Sequence, residues 1–235
     1  YYAGMEVMVP LFPGDVKGGI QTVSDLYADY YRLTWPSYRT DAPTSGTDCG
    51  ISAQYSISRY SKIFCKYTFR SKSQNANTNE FFKEIAETQR HKFRIEWQNE
   101  PYKFLTLKTE LDWQLNHDVS SGKNSQGFLL YQDAALEFQK AGIAIHTRIA
   151  YFDTDTYDER QYAYEDDVYY AFTIGSYYYK GIRGYLVVRY KYRFLSFWLR
   201  LSQTYYIDRL QISSGLSEID KPHKTELKFQ ILISF

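Results

Sequence analysis

Apolar and polar residues alternate with a period of two along most of the chain. The clearest run is 105–116, where Leu105, Leu107, Thr109, Leu111, Trp113 and Leu115 share one face and Thr106, Lys108, Glu110, Asp112, Gln114 and Asn116 the other. A strand sends successive side chains to opposite faces, whereas a helix would scatter this apolar set around its cylinder. Phe93, Ile95 and Trp97 against Lys92, Arg94, Glu96 and Gln98 repeat the pattern, as do Ile63, Cys65, Tyr67 and Phe69 against Lys66, Thr68 and Arg70. At the C-terminal end Leu227, Phe229, Ile231, Ile233 and Phe235 oppose Glu226, Lys228, Gln230, Leu232 and Ser234. The pattern predicts about eleven long strands, at 2–9, 18–33, 49–59, 62–72, 89–98, 104–116, 126–138, 143–153, 183–191, 195–206 and 224–235. Only Glu80 to Gln89 reads as a possible helix, and it lies between two strands.

The connections carry a second rhythm. Short links at 10–17, 60–61, 99–103, 139–142 and 192–194 alternate with longer polar ones at 34–48, 73–88, 117–125, 154–182 and 207–223. Short turns on one side and long loops on the other are the pattern of an antiparallel transmembrane outer-membrane β-barrel. Strand length agrees, because a tilted strand needs roughly 9–11 residues to cross the apolar band, while strands of soluble proteins cluster near about 5–6. A soluble sandwich or up-and-down barrel also alternates. Three features favour the membrane barrel: strand length, charges in mid-strand on the polar face, and a terminal Phe235 closing the last alternating strand.

Composition sharpens this expectation. Aromatic residues make up 19% of the chain, with 25 Tyr, and mean hydropathy is −0.51. Those two values need an architecture that separates apolar from polar surface, and no apolar run is long enough for a transmembrane helix. Tyr55, Tyr67, Tyr102, Tyr151, Tyr190, Tyr192, Tyr205 and Tyr206 fall at or near strand ends, where membrane-interface girdles form. With 28 Lys+Arg against 27 Asp+Glu, the chain lacks the basic excess of a nucleic-acid binder.

The expected polar face mixes Lys66, Arg70, Lys92, Arg94, Lys108, Arg148, Arg189, Arg200 and Lys228 with Asp25, Asp29, Glu96, Glu110, Asp112, Asp133, Glu137 and Glu226. That balance favours a plugged or salt-bridged interior over a strongly ion-selective pore. The C-terminal strand of such barrels descends into the periplasm, so counting back makes the first strand a descending one too. An even-stranded barrel then requires at least one further strand upstream, and residues 1–235 are expected to be the C-terminal part of a larger barrel, or a barrel closed by something outside this chain.

Signatures of catalysis are absent: the chain holds no GxSxG, HExxH, GxxxxGK[ST] or GxGxxG. His146, with Asp133 or Glu137 across the 139–142 turn, is the best acid–base pair, and membership of a polar network is the simpler reading. Cys49 and Cys65 fit no metal or redox spacing. Asp153, Asp155, Asp158, Glu159, Glu165, Asp166 and Asp167 crowd the long connection, and the run 153–158 faintly resembles a calcium loop. It lacks the following Gly and the twelfth-position Glu, so a loop held by Tyr hydroxyls, Arg160 and Arg183 is expected instead. No catalytic, cofactor or metal residues are assigned.

Six stretches carry a resemblance: YRTDAPTSG at 38–46, GFLLYQD at 127–133, FDTDTYD at 152–158, YAYEDDVYYAF at 162–172, KGIR at 180–183 and SSGLSEI at 213–219. Together they resemble the C-terminal barrel region of Bacteroidota outer-membrane proteins that contain N-terminal helix-hairpin-helix repeats. The resemblance implies a Gram-negative cell envelope protein and a structured cap at about 154–182. It transfers no catalytic residue, and the family's DNA-binding repeats are missing from this segment, which is not expected to bind nucleic acid directly. The expectation is therefore a non-enzymatic outer-membrane barrel that contacts lipid and serves as an anchor or as a component of an envelope complex. A porin-like conduit and a hydrolase with a rim active site are the alternatives.

Overall fold

Thirteen strands occur among the residues that the structure, a computed structural model, describes: 2–8, 22–36, 40–75, 85–213 and 218–234. They are β1 Tyr2–Met8, β2 Thr22–Leu33, β3 Thr44–Ser58, β4 Ser61–Asn75, β5 Ile85–Tyr102, β6 Leu105–Asp118, β7 Lys123–Phe138, β8 Ile143–Thr154, β9 Gln161–Glu165, β10 Thr173–Tyr177, β11 Lys180–Tyr192, β12 Leu195–Tyr206 and β13 His223–Ile233. Eleven form one antiparallel sheet in the order β1-β2-β3-β4-β5-β6-β7-β8-β11-β12-β13, and β9 and β10 form a separate hairpin. The order is linear: among the described residues β1 and β13 are not paired with each other.

All eleven expected strands are found, and most run longer than the alternation suggested. Ile85–Gln89, read above as a possible helix end, belongs to the 18-residue β5; residues 80–84 lie outside the described residues, as do 9–21. The expected long link at 117–125 is a four-residue turn, because β6 reaches Asp118 and β7 begins at Lys123. The Asp118 carboxylate accepts from the backbone N–H of Ser120 and Ser121, and Gly122 takes φ 66, so the local chemistry builds a tight turn rather than a loop.

The chain divides into two units, Tyr1–Glu96 with Asp112–Gln126, and Trp97–Leu111 with Gly127–Phe235. In the first, the register β2–β3–β4 places Tyr27 opposite Gly50 and Tyr31 opposite Gly46. Each Tyr ring lies where a Cβ on its glycine would have to be, so these glycines are seats for aromatic side chains. Asp48 of β3, next along that face, takes the Arg70 Nε at 2.7 Å. Arg94 forks onto Asp112 at 2.7 and 2.6 Å, with Lys92 at 3.1 Å. Tyr67, Phe93 and Trp113 form a ring row on the opposite face, centroids 4.8 and 5.9 Å apart.

The second unit keeps one parity across five strands. Asp133 pairs with Arg148, Arg148 with Tyr185, Tyr185 with Ser202 and Ser202 with Glu226, so all five share the polar face. Leu130, Ile149, Leu186, Leu201 and Leu227 share the other.

Burial runs opposite to that of a water-soluble sheet. Asp112, Gln114 and Asn116 are buried in the first unit while Trp113 between them is exposed. In the second, Arg200 is 0% exposed and Arg148 4%, whereas Ile149 is 67%, Leu227 69% and Phe229 62% exposed. The ring assignments above need one correction: Tyr206 faces the polar side and is buried against Phe152, because its register partner across β11 is Gly181, whose missing side chain leaves room there.

Candidate functional site

The long connection 155–179 is a built structure. Thr154 closes its base, accepting from the Tyr179 N–H at 2.6 Å and donating its own N–H to the Tyr179 carbonyl at 2.9 Å. A turn at 157–159 follows, fixed by a capping box: the Thr156 hydroxyl accepts from Asp158 N–H, and the Thr156 backbone N–H donates to Glu159 at 3.0 Å. The hairpin β9–β10 then pairs Gln161 with Tyr177 through Glu165 with Thr173.

Alternation gives the hairpin two unlike faces. Gln161, Ala163, Glu165, Gly175 and Tyr177 are buried, while Tyr162, Tyr164 and Ile174 are exposed. The buried face joins Leu129, Tyr131, Ala150, Phe152 and Tyr206 in the unit's apolar cluster. Gly175 leaves the space that the Glu165 carboxylate fills, since a Cβ there would strike it.

The acidic tip, Glu165-Asp166-Asp167, meets the cations of the polar wall. Arg183 of β11 forks onto Glu165, Nε to Oε1 at 2.7 Å and Nη2 to Oε2 at 2.9 Å. Arg200 of β12 donates Nη2 to the same Oε2 at 2.5 Å and Nε to the Asp166 carbonyl at 3.1 Å. Tyr177 adds its hydroxyl to Oε1 at 2.8 Å. Asp166 lies 3.0 Å from His146 Nδ1 on β8, and Lys228 Nζ on β13 reaches Asp167 at 2.5 Å, beside the Thr173 hydroxyl. Four strands of the wall thus hold three consecutive carboxylates.

The electrostatics follow from this geometry. Burial pushes the Glu165 carboxyl up, but the hydrogen bonds and charge of Arg183, with Tyr177 and Arg200, hold it below the usual value. The hydrogen bond to His146 holds Asp166 low against burial. For Asp167, burial again works upward and Lys228, Thr173 and the Val168 N–H outweigh it. All three are therefore ionised and compensated at neutral pH.

Arg183 holds the connection as its sequence suggested, whereas Arg160 stays within it, over the Tyr157 ring at 4.3 Å and bonded to the Tyr157 carbonyl. Arg200, Lys228 and His146 were not foreseen as partners of the loop. The available signal was a set of inward strand cations beside a carboxylate-rich connection, which sequence spacing does not pair. Asp133 is not a partner of His146: it takes a fork from Arg148 at 2.6 and 2.7 Å. Glu137 stands 3.9 Å from His146 Nε2, beyond a hydrogen bond. His146 is thus held by Asp166 within a fixed ion-pair network. Glu165, Asp166 and Asp167 are spent on cations, whereas Glu159 accepts from the Thr156 backbone N–H, and no group of His, Cys, Asp or Glu among the described residues is arranged to hold a metal ion.

No protein-family model matches the chain, and no curated protein matches it.

Proposed function

We propose that the chain is the barrel part of an outer-membrane protein whose long connection folds back along the polar wall as an internal plug, and that it acts as a non-enzymatic anchor or as a component of an envelope complex. The observation that carries this reading is the reversed burial: charges such as Arg200 and Asp112 are enclosed while Ile149, Leu227 and Phe229 stand exposed, on strands of 11 to 14 residues. Hydrocarbon is the solvent in which such an apolar face is stable and such a polar face must turn inward. Lipid also forbids unpaired sheet edges, so the reading requires closure, by β1 meeting β13 or by strands outside this sequence.

The docked hairpin favours anchoring over conduction, because its carboxylates occupy the wall cations that a passing solute would meet. The resemblance to the barrel region of helix-hairpin-helix outer-membrane proteins points the same way for location. Single-Trp variants refolded into vesicles containing brominated lipid test it. Trp113, on the apolar face, is expected to be quenched and Trp198, on the polar face, to be spared. Equal protection of both would refute membrane insertion. Steady conductance in planar bilayers would replace the plugged anchor with a conduit.

A further inference from the structure

Most wall cations are neutralised, but three at the short-turn end of the second unit are not. Arg148, Arg183, Arg200 and Lys228 each have a carboxylate partner. Arg189, Lys191 and Arg193 have none among the described residues. They line an open cavity of about 750 Å³ formed at the ends of β7, β8, β11, β12 and β13. That volume is in the range of clefts that take small organic ligands.

Local sequence explains why the space exists. Arg189 and Lys191 are two apart on β11 and so share its polar face. Arg189 stands in register between the small Ala144 and Trp198, and Lys191 stands beside the small Ser196. Arg193 occupies the turn to β12 with φ 53. On one side of the cavity Tyr169, from the hairpin's turn, stacks on Trp198 with centroids 5.3 Å apart and planes 20° from parallel. Tyr169 also packs against the Tyr170 ring, with centroids 4.1 Å apart, so its ring is held in place at the cavity's edge. Among the described residues Glu137 supplies the cavity's one carboxylate. Three like charges held together repel, and only a multiply charged anion relieves all three at once. Two guanidinium forks and an ammonium match phosphoryl oxygens.

We propose that this cavity binds a phosphoryl group, the oxyanion held by Arg189, Lys191 and Arg193 beside the wall formed by Tyr169 and Trp198. The site lies wholly within the second unit, so it stands or falls independently of membrane insertion.

Phenyl phosphate is the probe, added to the full chain in zwitterionic detergent with Trp35, Trp97 and Trp113 replaced by Phe, so that Trp198 alone reports. A saturable change in Trp198 emission is expected, absent with phenol at the same concentration. Arg189→Gln with Lys191→Gln is expected to weaken binding by about tenfold or more, equivalent to about 1.4 kcal/mol, while Lys66→Gln leaves it unchanged. Arg193→Gln, in a turn where no strand pairing is lost, serves if the double variant fails to fold. Competition by vesicles of phosphatidylglycerol, but not phosphatidylcholine, would assign the phosphoryl group to a lipid headgroup; absence of competition would assign it to a soluble phosphate. No saturable change in the parent chain, or undiminished binding in both Gln variants, would overturn the proposal.

Discussion

The two units carry the same alternation and treat their charges differently. On the first, Arg70 meets Asp48 on the polar face of β3 and β4 with half of its side chain still exposed. On the second, Arg200 meets Glu165 with both side chains fully enclosed. The strands are alike; between these two pairs the difference is the hairpin β9–β10, whose Glu165 covers Arg200. A charge on a strand face is therefore worth little until another layer removes its water, after which its partner becomes indispensable.

The largest expected effect breaks the covered side of the comparison. Glu165→Gln leaves Arg183 and Arg200 buried without their shared carboxylate, and is expected to cost about 3–5 kcal/mol in urea unfolding of the refolded chain. A loss under about 1 kcal/mol would mean that the hairpin does not shield the pair. Next is the apolar face, which the two units have in common. Leu107→Arg is expected to impair assembly into vesicles, by about 2–4 kcal/mol if the site lies at mid-bilayer, and Lys108→Gln to leave assembly intact. Comparable effects of the two would reverse the facing of β6.

Gly50→Ala probes how the first unit fills its uncovered wall. The added methyl meets the Tyr27 ring, and a cost of about 1–3 kcal/mol in the same unfolding measurement is expected. Relief on combining it with Tyr27→Ser would identify the ring as the cause.

Acid sharpens the contrast without a mutation. Asp166 and Asp167 sit below the ordinary carboxylate value in the folded chain. Their stabilisation is thus complete above an unfolded-state value near about 4 and is lost as pH falls from there through the lower folded values. Protease cleavage within 155–179 is expected to stay slow at about pH 5 and to rise below about pH 3.5; release already at the higher pH would contradict the ion-pair docking. The smallest effect belongs to the open pair: Arg70→Gln is expected to change stability by about 0–1 kcal/mol, and less at high salt.

What could be read from sequence follows one rule of distance. The strands, their facing and the identity of the two faces were legible because alternation is local: Leu107 and Lys108 declare opposite sides within two residues, whatever the rest of the chain does. Odd slips of register are excluded for the same reason, since a slip by one residue would exchange Lys108 and Leu107, whereas the pairing itself was not legible. Chain connections were read less well. Asp118 and Gly122 turned an expected long link into a tight turn, and Tyr206 proved to face inward because Gly181 made room for it.

The sequence by itself thus determined an all-β antiparallel chain with one charged and one apolar face, and a connection too rich in Tyr and carboxylates to be a plain linker. Only the tertiary structure decided which cation takes which carboxylate. The partners of Glu165, Asp166 and Asp167 stand from 18 to 61 positions away in the chain, at Arg183, His146, Arg200 and Lys228. No local period encodes such pairings. They arise because β9–β10, short of residues to bury its own face, finds the polar wall of β8 and β11–β13 as the surface that satisfies both its aromatic side and its charges.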